Sequence, residues 1–196
     1  MGFSKMYLDI MIAGSGGQGV LLIGKLLAWA GMLEGMHVTW FPSYGAEMRG
    51  GTANCTVIIS DEIIGSPIIQ NPGTFIIMNN ASLERFEKRV KPQGIIIINS
   101  SLVKRGVKRE DVEVVSIPAN EIADEIGDTR VANMVMVGAL IGSRRIITLE
   151  AVKETMKKII PSSKLSLIAL NEKALESGYS YNIIRGKDGS FIPVLS

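Results

Sequence analysis

A strand, a glycine-rich turn, a helix and a second strand follow one another near the start of the chain, and this succession constrains the fold most. The apolar run from Tyr7 to Ala13 predicts a buried strand, and Gly14 to Gly19 form the turn after it. Gln18 to Leu33 carry leucine and alanine at helical spacing, and Gly35 predicts the end of that helix. His37 to Phe41 is β-branched and aromatic, as strands are. Because a helical crossover joins parallel strands, the unit predicts parallel pairing of its two strands.

The rest of the chain continues the alternation of strands and helices. Further strands are predicted at Thr52 to Ser60, which Asp61 to Ile64 can extend as a hairpin arm, and at Phe75 to Met78, Ile95 to Ile98 and Val112 to Ile117. Helices are predicted at Ser82 to Val90, Val131 to Ser143, Leu149 to Ile160 and Lys164 to Ser177. Thr148 and Ser162 or Ser163 are the predicted N-caps of the last two helices, and Gly178 is predicted to end the last one. These elements predict an α/β fold: one Rossmann-like, three-layer, doubly wound domain over residues 1–196 with a mainly parallel sheet. Its C-terminal part is mainly helical from about Ala119, and residues 179–196 form a surface tail.

Composition excludes several classes of function. The net charge is only +2, and the 21 basic residues are scattered along the chain, which speaks against nucleic acid as a partner. The most membrane-like segment, Val131 to Ser143, is much shorter than the about 20 residues that cross a bilayer, so we expect a buried helix and no membrane partner.

The single cysteine and single histidine limit metal chemistry in the same way. Cys55 and His37 cannot complete a zinc site or hold an iron–sulfur cluster, so any such metal chemistry belongs on another chain. A lone cysteine fits a reducing compartment, and Met1 to Lys5 is too short for a signal peptide, so we expect a cytoplasmic location.

The glycine turn matches a nucleotide-binding pattern only in part. Gly14 to Gly19 satisfies G-x-G-x-x-G between a strand and a helix, where pyrophosphate binds in dinucleotide sites. Such sites also need a carboxylate at the end of the second strand, but Trp40 to Ser43 contains none. Lys25 lies too deep in the helix for a Walker A lysine. Two readings stay open: a tight turn for close packing, or a site for an anion or polar ligand. Gln18 could orient a ligand or a partner's backbone, or cap its own turn.

A second polar loop follows the second predicted strand. It combines a phenol, a carboxylate and a guanidinium with three glycines, in the order Tyr44, Gly45, Glu47, Arg49, Gly50, Gly51. Loops at the carboxyl ends of strands line the ligand crevice of doubly wound sheets, so this loop and the glycine turn should share a cleft if their strands are neighbours. Arg49 could clamp a carboxylate or phosphate, and Glu47 could pair with Arg49 or transfer a proton. The alternative is a solvated loop with an internal Glu–Arg pair.

Together the two loops resemble a known family. The pair Ile12 to Val20 (IAGSGGQGV) and Phe41 to Ser60 (FPSYGAEMRGGTANCTVIIS) resembles the gamma subunits of 2-oxoacid:ferredoxin oxidoreductases, and weaker agreement continues at Ile63 to Pro67, Asn133 to Leu140 and Asn171 to Gly178. The resemblance implies a Rossmann-like subunit of a complex that converts a 2-oxoacid, coenzyme A and oxidised ferredoxin to acyl-CoA, carbon dioxide and reduced ferredoxin.

The resemblance also implies where the cofactors and partners lie. Thiamine diphosphate with magnesium is expected on alpha and beta chains, iron–sulfur clusters on a beta or delta chain, and no cofactor on this chain, which would be inactive alone. We predict that Tyr44, Glu47, Arg49, Gly50 and Gly51 form an active-site edge or interface, and that Gly14, Gly16, Gly17, Gln18 and Gly19 contact a ligand or partner. The segment SYGAEMRGGTANC resembles the 2-oxoglutarate and branched-chain enzymes more than the pyruvate enzymes, and we favour 2-oxoglutarate as the substrate. A stand-alone Rossmann-type nucleotide-binding oxidoreductase and a purely architectural subunit stay as alternatives.

Overall fold

A six-stranded sheet forms the centre of the molecule. The computed structural model describes residues 6–43, 52–159, 165–185 and 191–194. The strands of the sheet are β1 (Tyr7–Ser15), β2 (His37–Pro42), β3 (Thr52–Ser60), β4 (Thr74–Ile77), β5 (Ile95–Asn99) and β6 (Glu113–Ile117), in the spatial order β2-β3-β1-β4-β5-β6. Neighbours from β1 to β6 pair in parallel, whereas β3 runs antiparallel to both β1 and β2. The predicted α/β class and mainly parallel sheet are confirmed.

The predicted pairing of the first two strands is wrong. β1 and β2 point the same way, but β3 lies between them and pairs with both. The pairing of β1 with β3 runs over nine residues, from Tyr7 opposite Ser60 to Ser15 opposite Thr52. A helical crossover requires that the two strands run in the same direction, but it does not require that they be neighbours in the sheet. The long apolar strand β3 can therefore lie between them, beside β1.

The predicted hairpin arm at Asp61 to Ile64 is also absent. β3 ends at Ser60, and Asp61 closes the end of the sheet instead of starting a strand. Its backbone N–H donates to Met6 O at 3.1 Å, and its carboxylate accepts from Met6 N at 3.0 Å. Ile63 beyond it is 85% exposed, more than any large hydrophobic side chain of the sheet strands for which exposure is given.

Helices cover the two faces of the sheet unequally. The helices are α1 (Val20–Leu33), α2 (Asn80–Phe86, followed by a 3-10 turn at Glu87–Arg89), α3 (Ala119–Ile126, followed by a 3-10 turn at Thr129–Val131), α4 (Ala132–Ser143), α5 (Leu149–Ile159) and α6 (Leu165–Ser180). One hydrophobic cluster joins α1 and α3 to α6 to one face, and a smaller cluster joins α2 and the chain near Val103 and Val112 to the other. The result is three layers, one of them thin.

Several helix boundaries agree with the local signals. Gly35 follows α1 in a left-handed conformation with φ of 76°, and Thr148 Oγ1 accepts from Ala151 N at 3.2 Å as the N-cap of α5. Ser162 and Ser163 lie outside the described residues. The buried helix predicted at the membrane-like segment is α4, with 12 residues. Within the described ranges no helix combines the length and apolarity that a membrane span requires.

Gly178 does not end the last helix. α6 continues through it to Ser180 because Gly178 faces the backbone of α4. A Cβ at Gly178 would overlap the carbonyl oxygen of Val135, and a Cβ at Gly138 would overlap the carbonyl oxygen of Leu175. The two glycines therefore serve close helix packing, not helix termination.

The predicted surface tail contains regular structure. Its first residues, 179–180, still belong to α6. Beyond them, β7 (Asn182–Arg185) and β8 (Phe191–Val194) pair antiparallel as a separate two-stranded sheet.

Basic charge is more concentrated than the scattered distribution inferred from the sequence. Eight of the 21 basic residues lie between positions 85 and 109, on or beside the α2 layer. The loop after β5 packs on α2 through Lys104 N and Arg105 N, which donate to Asn80 Oδ1 at 2.9 and 3.3 Å. Arg105 also pairs with the buried Glu87 at 2.6 Å, so part of this charge has a structural role.

Candidate functional site

The glycine turn and both ends of the polar loop lie at one edge of the sheet. β1 ends at Ser15, opposite Thr52, where β3 begins. β2 ends at Pro42, opposite Cys55 of β3, and Ser43 N donates to Asn54 O at 3.0 Å. The loop between these anchors carries Tyr44, Glu47, Arg49, Gly50 and Gly51, all of which lie outside the described residues, so their placement stays a prediction.

Three glycines of the turn have structural reasons to be glycine. Gly17 and Gly19 are left-handed, with φ of 88° and 73°. Gly14 is packed: a Cβ there would lie 2.6 Å from Gln18 Oε1 and 2.7 Å from Met78 Cβ. Gly16 differs, since a Cβ there would meet nothing within 4 Å. The exposed Gly16 and Gly17 leave the turn open on its outer side.

Gln18 caps its own turn. Its Oε1 accepts from Ser15 N at 2.6 Å, and its Nε2 donates to Met78 O at 3.2 Å, just beyond β4. Asn79 adds a second link, because its Nδ2 donates to Ser15 Oγ at 2.5 Å while its Oδ1 caps α2 by accepting from Ser82 N at 2.8 Å. Of the readings left open by the sequence, these contacts support the cap, and they fix the turn to the end of β4.

Replacing Gln18 by leucine should lower the free energy of unfolding by about 1 kcal/mol, because both amide hydrogen bonds are lost. Urea denaturation measures the change. The matched control is Gln70→Leu at an exposed position, where we expect a change within about 0.5 kcal/mol. Equal stability of the two variants would show that the amide bridge does not hold the turn.

A cleft opens beside the turn. It measures about 220 Å³ and lies between the carboxyl ends of β1 and β4 and the starts of α1 and α4. It is lined by Gly17, Gln18, Met78, Leu102, Asn120, Thr129, Arg130, Ala132 and Asn133. Apart from Arg130, these side chains are uncharged. The described residues that line the cleft therefore offer no carboxylate for ribose hydroxyls, which agrees with the incomplete dinucleotide pattern.

Asn133, in the first turn of α4, is a cleft residue that sequence reasoning missed, as is Arg130. Asn133 is 7% exposed and packs so closely on the glycine turn that a Cβ at Gly19 would overlap its Nδ2. Among the described residues its buried Oδ1 has no hydrogen-bond partner. Such groups normally have one, so an N–H or O–H donor from a ligand or water would stabilise it. The available signal was a lone asparagine inside an otherwise apolar helix.

The entrance of the cleft is polarised positively. Gly19 starts α1 without a side-chain cap, so free backbone N–H groups of the first turn and the helix dipole favour an anion there. Arg130 is 79% exposed and pairs with Asp128 at 2.6 Å. Hydrogen bonds from Arg130 lower the pKa of Asp128 to about 2, so this partner stays ionised. This arrangement can bind and orient a polar or anionic group.

The chain's own residues do not fit an iron–sulfur cluster. Cys55 is fully buried, and its thiol donates to Val20 O at 3.5 Å. Burial raises the pKa of this thiol to about 12, which keeps it protonated and unsuited to ligate a metal. In the part of the chain that the structure describes, no three His, Cys, Asp or Glu side chains are grouped to hold a metal ion.

Comparison with protein families and curated proteins gives consistent matches. The sequence profile of the family described as pyruvate ferredoxin/flavodoxin oxidoreductase matches residues 9–181. Ketoisovalerate oxidoreductase subunit VorA of Methanothermobacter marburgensis is 39% identical over 172 residues, which cover 86% of this chain but 35% of VorA. The 2-oxoglutarate synthase subunit KorC of the same organism is 36% identical over 160 residues, covering 78% of this chain and 86% of KorC. The chain thus spans about a third of VorA and most of KorC.

Solved structures with the same fold also include both a separate subunit and a longer chain. The gamma subunit of a keto/oxoacid ferredoxin oxidoreductase from Geobacter sulfurreducens PCA has a TM-score of 0.77 and 25% identity, with 88% of this chain and 96% of that chain covered. The 2-oxoglutarate:ferredoxin oxidoreductase of Magnetococcus marinus, solved with 2-oxoglutarate, coenzyme A and succinyl-CoA bound, has a TM-score of 0.82 and 26% identity, with 89% of this chain and 31% of that chain covered. The domain therefore occurs both as a separate subunit and within a longer chain.

Proposed function

Because the chain belongs to the pyruvate ferredoxin/flavodoxin oxidoreductase family, we propose that it is the gamma subunit of a complex that oxidatively decarboxylates a 2-oxoacid with coenzyme A and reduces ferredoxin. The observation that carries the proposal is the length of the matches, which cover 86% of KorC and 96% of a gamma subunit. In such a complex, thiamine diphosphate, magnesium and iron–sulfur clusters on alpha, beta and delta chains supply carbon–carbon bond cleavage and electron transfer.

The role proposed for this chain is to bind and orient a substrate or coenzyme group at the edge of that active site. Coenzyme A is a polyanion, and the positively polarised start of α1 beside Arg130 suits a negatively charged or polar group. In the proposal, Gln18 and Asn79 hold the glycine turn in shape, while Asn133 accepts a hydrogen bond from the bound group.

The polar loop completes the proposed edge. Arg49 clamps a carboxylate or phosphate of the substrates, Tyr44 and Glu47 contact partner chains or the same anions, and Gly50 and Gly51 permit close approach. Support comes from the anchors of this loop, Ser43 and Thr52, which lie at the same sheet edge as the glycine turn.

Substituting Arg49 by alanine in the reconstituted complex should lower turnover or raise the coenzyme A KM by about tenfold or more, the effect of losing a charge-assisted hydrogen bond. Steady-state kinetics against coenzyme A and 2-oxoacid separate the two effects. The matched control is Arg145→Ala, an exposed arginine at the opposite edge, where Arg144 pairs with Glu113 at the start of β6. Identical kinetics and assembly for both variants would refute the role of Arg49. Altered assembly with normal turnover would favour an architectural subunit.

Our proposed substrate is 2-oxoglutarate, supported by the match along most of KorC. Ketoisovalerate is the second candidate, since VorA is 39% identical over the shared region. The value of kcat/KM for each 2-oxoacid in the purified complex decides between them, and a higher value for ketoisovalerate would overturn the assignment. The isolated chain should be inactive with either substrate.

A further inference from the structure

The outer face of α1 is mainly apolar. The helix carries one charged residue, Lys25, among 14. Its inner face is buried in the core, but its outer face exposes Leu22 (39%), Trp29 (48%), Met32 (63%) and Leu33 (40%). At about 100° per residue these four side chains fall within an arc of about 100°, so they form one stripe along the helix. Lys25 falls within the same arc and is the one charge in this otherwise apolar stripe.

This pattern is unusual for the surface of a soluble domain. A surface helix normally presents charged and polar residues to water, and a helix that is apolar all round is normally buried. With large side chains of about 150–250 Å² each, the exposed part of the stripe is on the order of 400 Å². This is within the range of the largest apolar patch on a typical monomer, about 300–600 Å², and such patches are often functional. It is about half of what one partner contributes to a standard interface of about 800 Å² per side.

An apolar cavity adjoins the stripe at Leu22. It measures about 320 Å³ and lies between α1, α4, α5 and α6. Its apolar walls include Leu22, Leu26, Met134, Met156, Ile159 and Leu167. Asp128 and Arg130 line it as well, which adds a charged pair to the otherwise apolar wall. A cavity of this kind can hold a large apolar side chain from a partner, and such anchored side chains dominate binding energy at interfaces.

The longer relatives indicate which protein this domain is joined to. The region that matches this chain is 35% of VorA and 31% of the Magnetococcus marinus chain, so there the domain is joined to a further two thirds of protein. From these observations we infer that the apolar stripe and the adjoining cavity dock on the protein that corresponds to this remainder. The inference rests on the proposed function, because it requires such a complex.

The chemistry of the stripe defines the partner face. It must be mainly apolar, with one large aromatic or aliphatic side chain that enters the cavity. The single charge on α1 is positive, and Lys25 Nζ lies 5.9 Å from the centroid of the Trp29 ring. A carboxylate on the partner near this position would complement it.

The test is co-purification of this chain with the chains homologous to the remainder of VorA, produced together. Trp29→Glu and Met32→Glu should each weaken capture of those chains at least about tenfold, because each buries a charge in the interface. The exposed fractions of Trp29 and Met32 are 48% and 63%, so thermal unfolding of the isolated variants should match wild type. The matched control is Ile68→Glu, another exposed apolar position (69%) outside the stripe, which should bind as wild type does.

The outcomes separate this inference from the proposed function. If wild-type chain captures its partner chains and both stripe variants do so equally well, the docking surface is wrong and the proposed function stands. If wild type captures none of them, both are wrong. If light scattering shows that the stripe variants only abolish self-association of the isolated chain, the stripe instead joins two copies and the inferred partner is overturned.

Discussion

Replacing Gly178 by alanine should lower the free energy of unfolding by about 2–4 kcal/mol, the range of severe overpacking in a core. Gly178 faces the backbone of α4, where an added Cβ would overlap Val135 O and lie 2.8 Å from its carbonyl carbon. Backbone atoms cannot rotate away as a side chain can, so α4 and α6 must separate. Helix propensity alone predicts the opposite sign, a gain of up to about 1 kcal/mol. Urea denaturation of the two proteins decides which effect is larger.

The same contact can be tested from the other helix. A Cβ at Gly138 would overlap Leu175 O, so Gly138→Ala should destabilise the chain to a similar extent. The double variant should lose less stability than the sum of the two single losses, because one separation of α4 from α6 makes room for both methyl groups. Gly65→Ala is the control, since a Cβ there meets nothing within 4 Å and φ is not positive. A more stable Gly178→Ala protein would show that the helices are not in close contact.

The second large effect is expected for Glu87→Gln, a loss of about 2–3 kcal/mol at neutral pH. The Glu87 side chain is 6% exposed and accepts from Arg105 Nη2 at 2.6 Å, and also from Lys108 N. Glutamine keeps the size of the side chain but leaves the Arg105 guanidinium without its counter-charge. Because Arg105 is 28% exposed, water recovers part of its solvation, which keeps the loss below that of a fully buried pair.

The pH dependence of this loss follows from the pKa of Glu87. Burial by itself raises that pKa, but the hydrogen bonds from Arg105 and Lys108 and the charge of Arg105 outweigh burial, so the folded-state pKa is below its ordinary value. A depressed folded pKa stabilises the protein above the unfolded pKa of about 4.3, and this stabilisation is lost as pH falls through the folded pKa. The difference between wild type and variant should therefore be constant near neutral pH and shrink below about pH 4.

Urea denaturation at several pH values measures that difference. The control is Glu154→Gln, whose exposed carboxylate pairs with Lys158 at 2.8 Å, and which should change stability by less than about 0.5 kcal/mol. A Glu87→Gln difference that did not change with pH would mean that the carboxylate charge is not what stabilises this loop.

Local pattern sufficed for most elements of the fold. The run Ile95–Asn99 is apolar throughout and is a strand buried on both faces. The left-handed Gly35 and the hydroxyl of Thr148 mark helix ends through interactions within a few residues. For such signals the residues that decide the structure are neighbours in the chain, so the sequence by itself determined most strand and helix positions and the α/β class.

Contacts between distant segments decided the rest. The insertion of β3 beside β1 depends on pairing between residues that are 37 (Ser15 and Thr52) to 53 (Tyr7 and Ser60) positions apart. The continuation of α6 through Gly178 depends on Val135, and the cap formed by Gln18 depends on Met78. The unpartnered oxygen of Asn133 is visible only once α4 lies against the glycine turn. A local sequence pattern does not specify which distant segment of the chain packs against a given face, so only the tertiary structure determined these features.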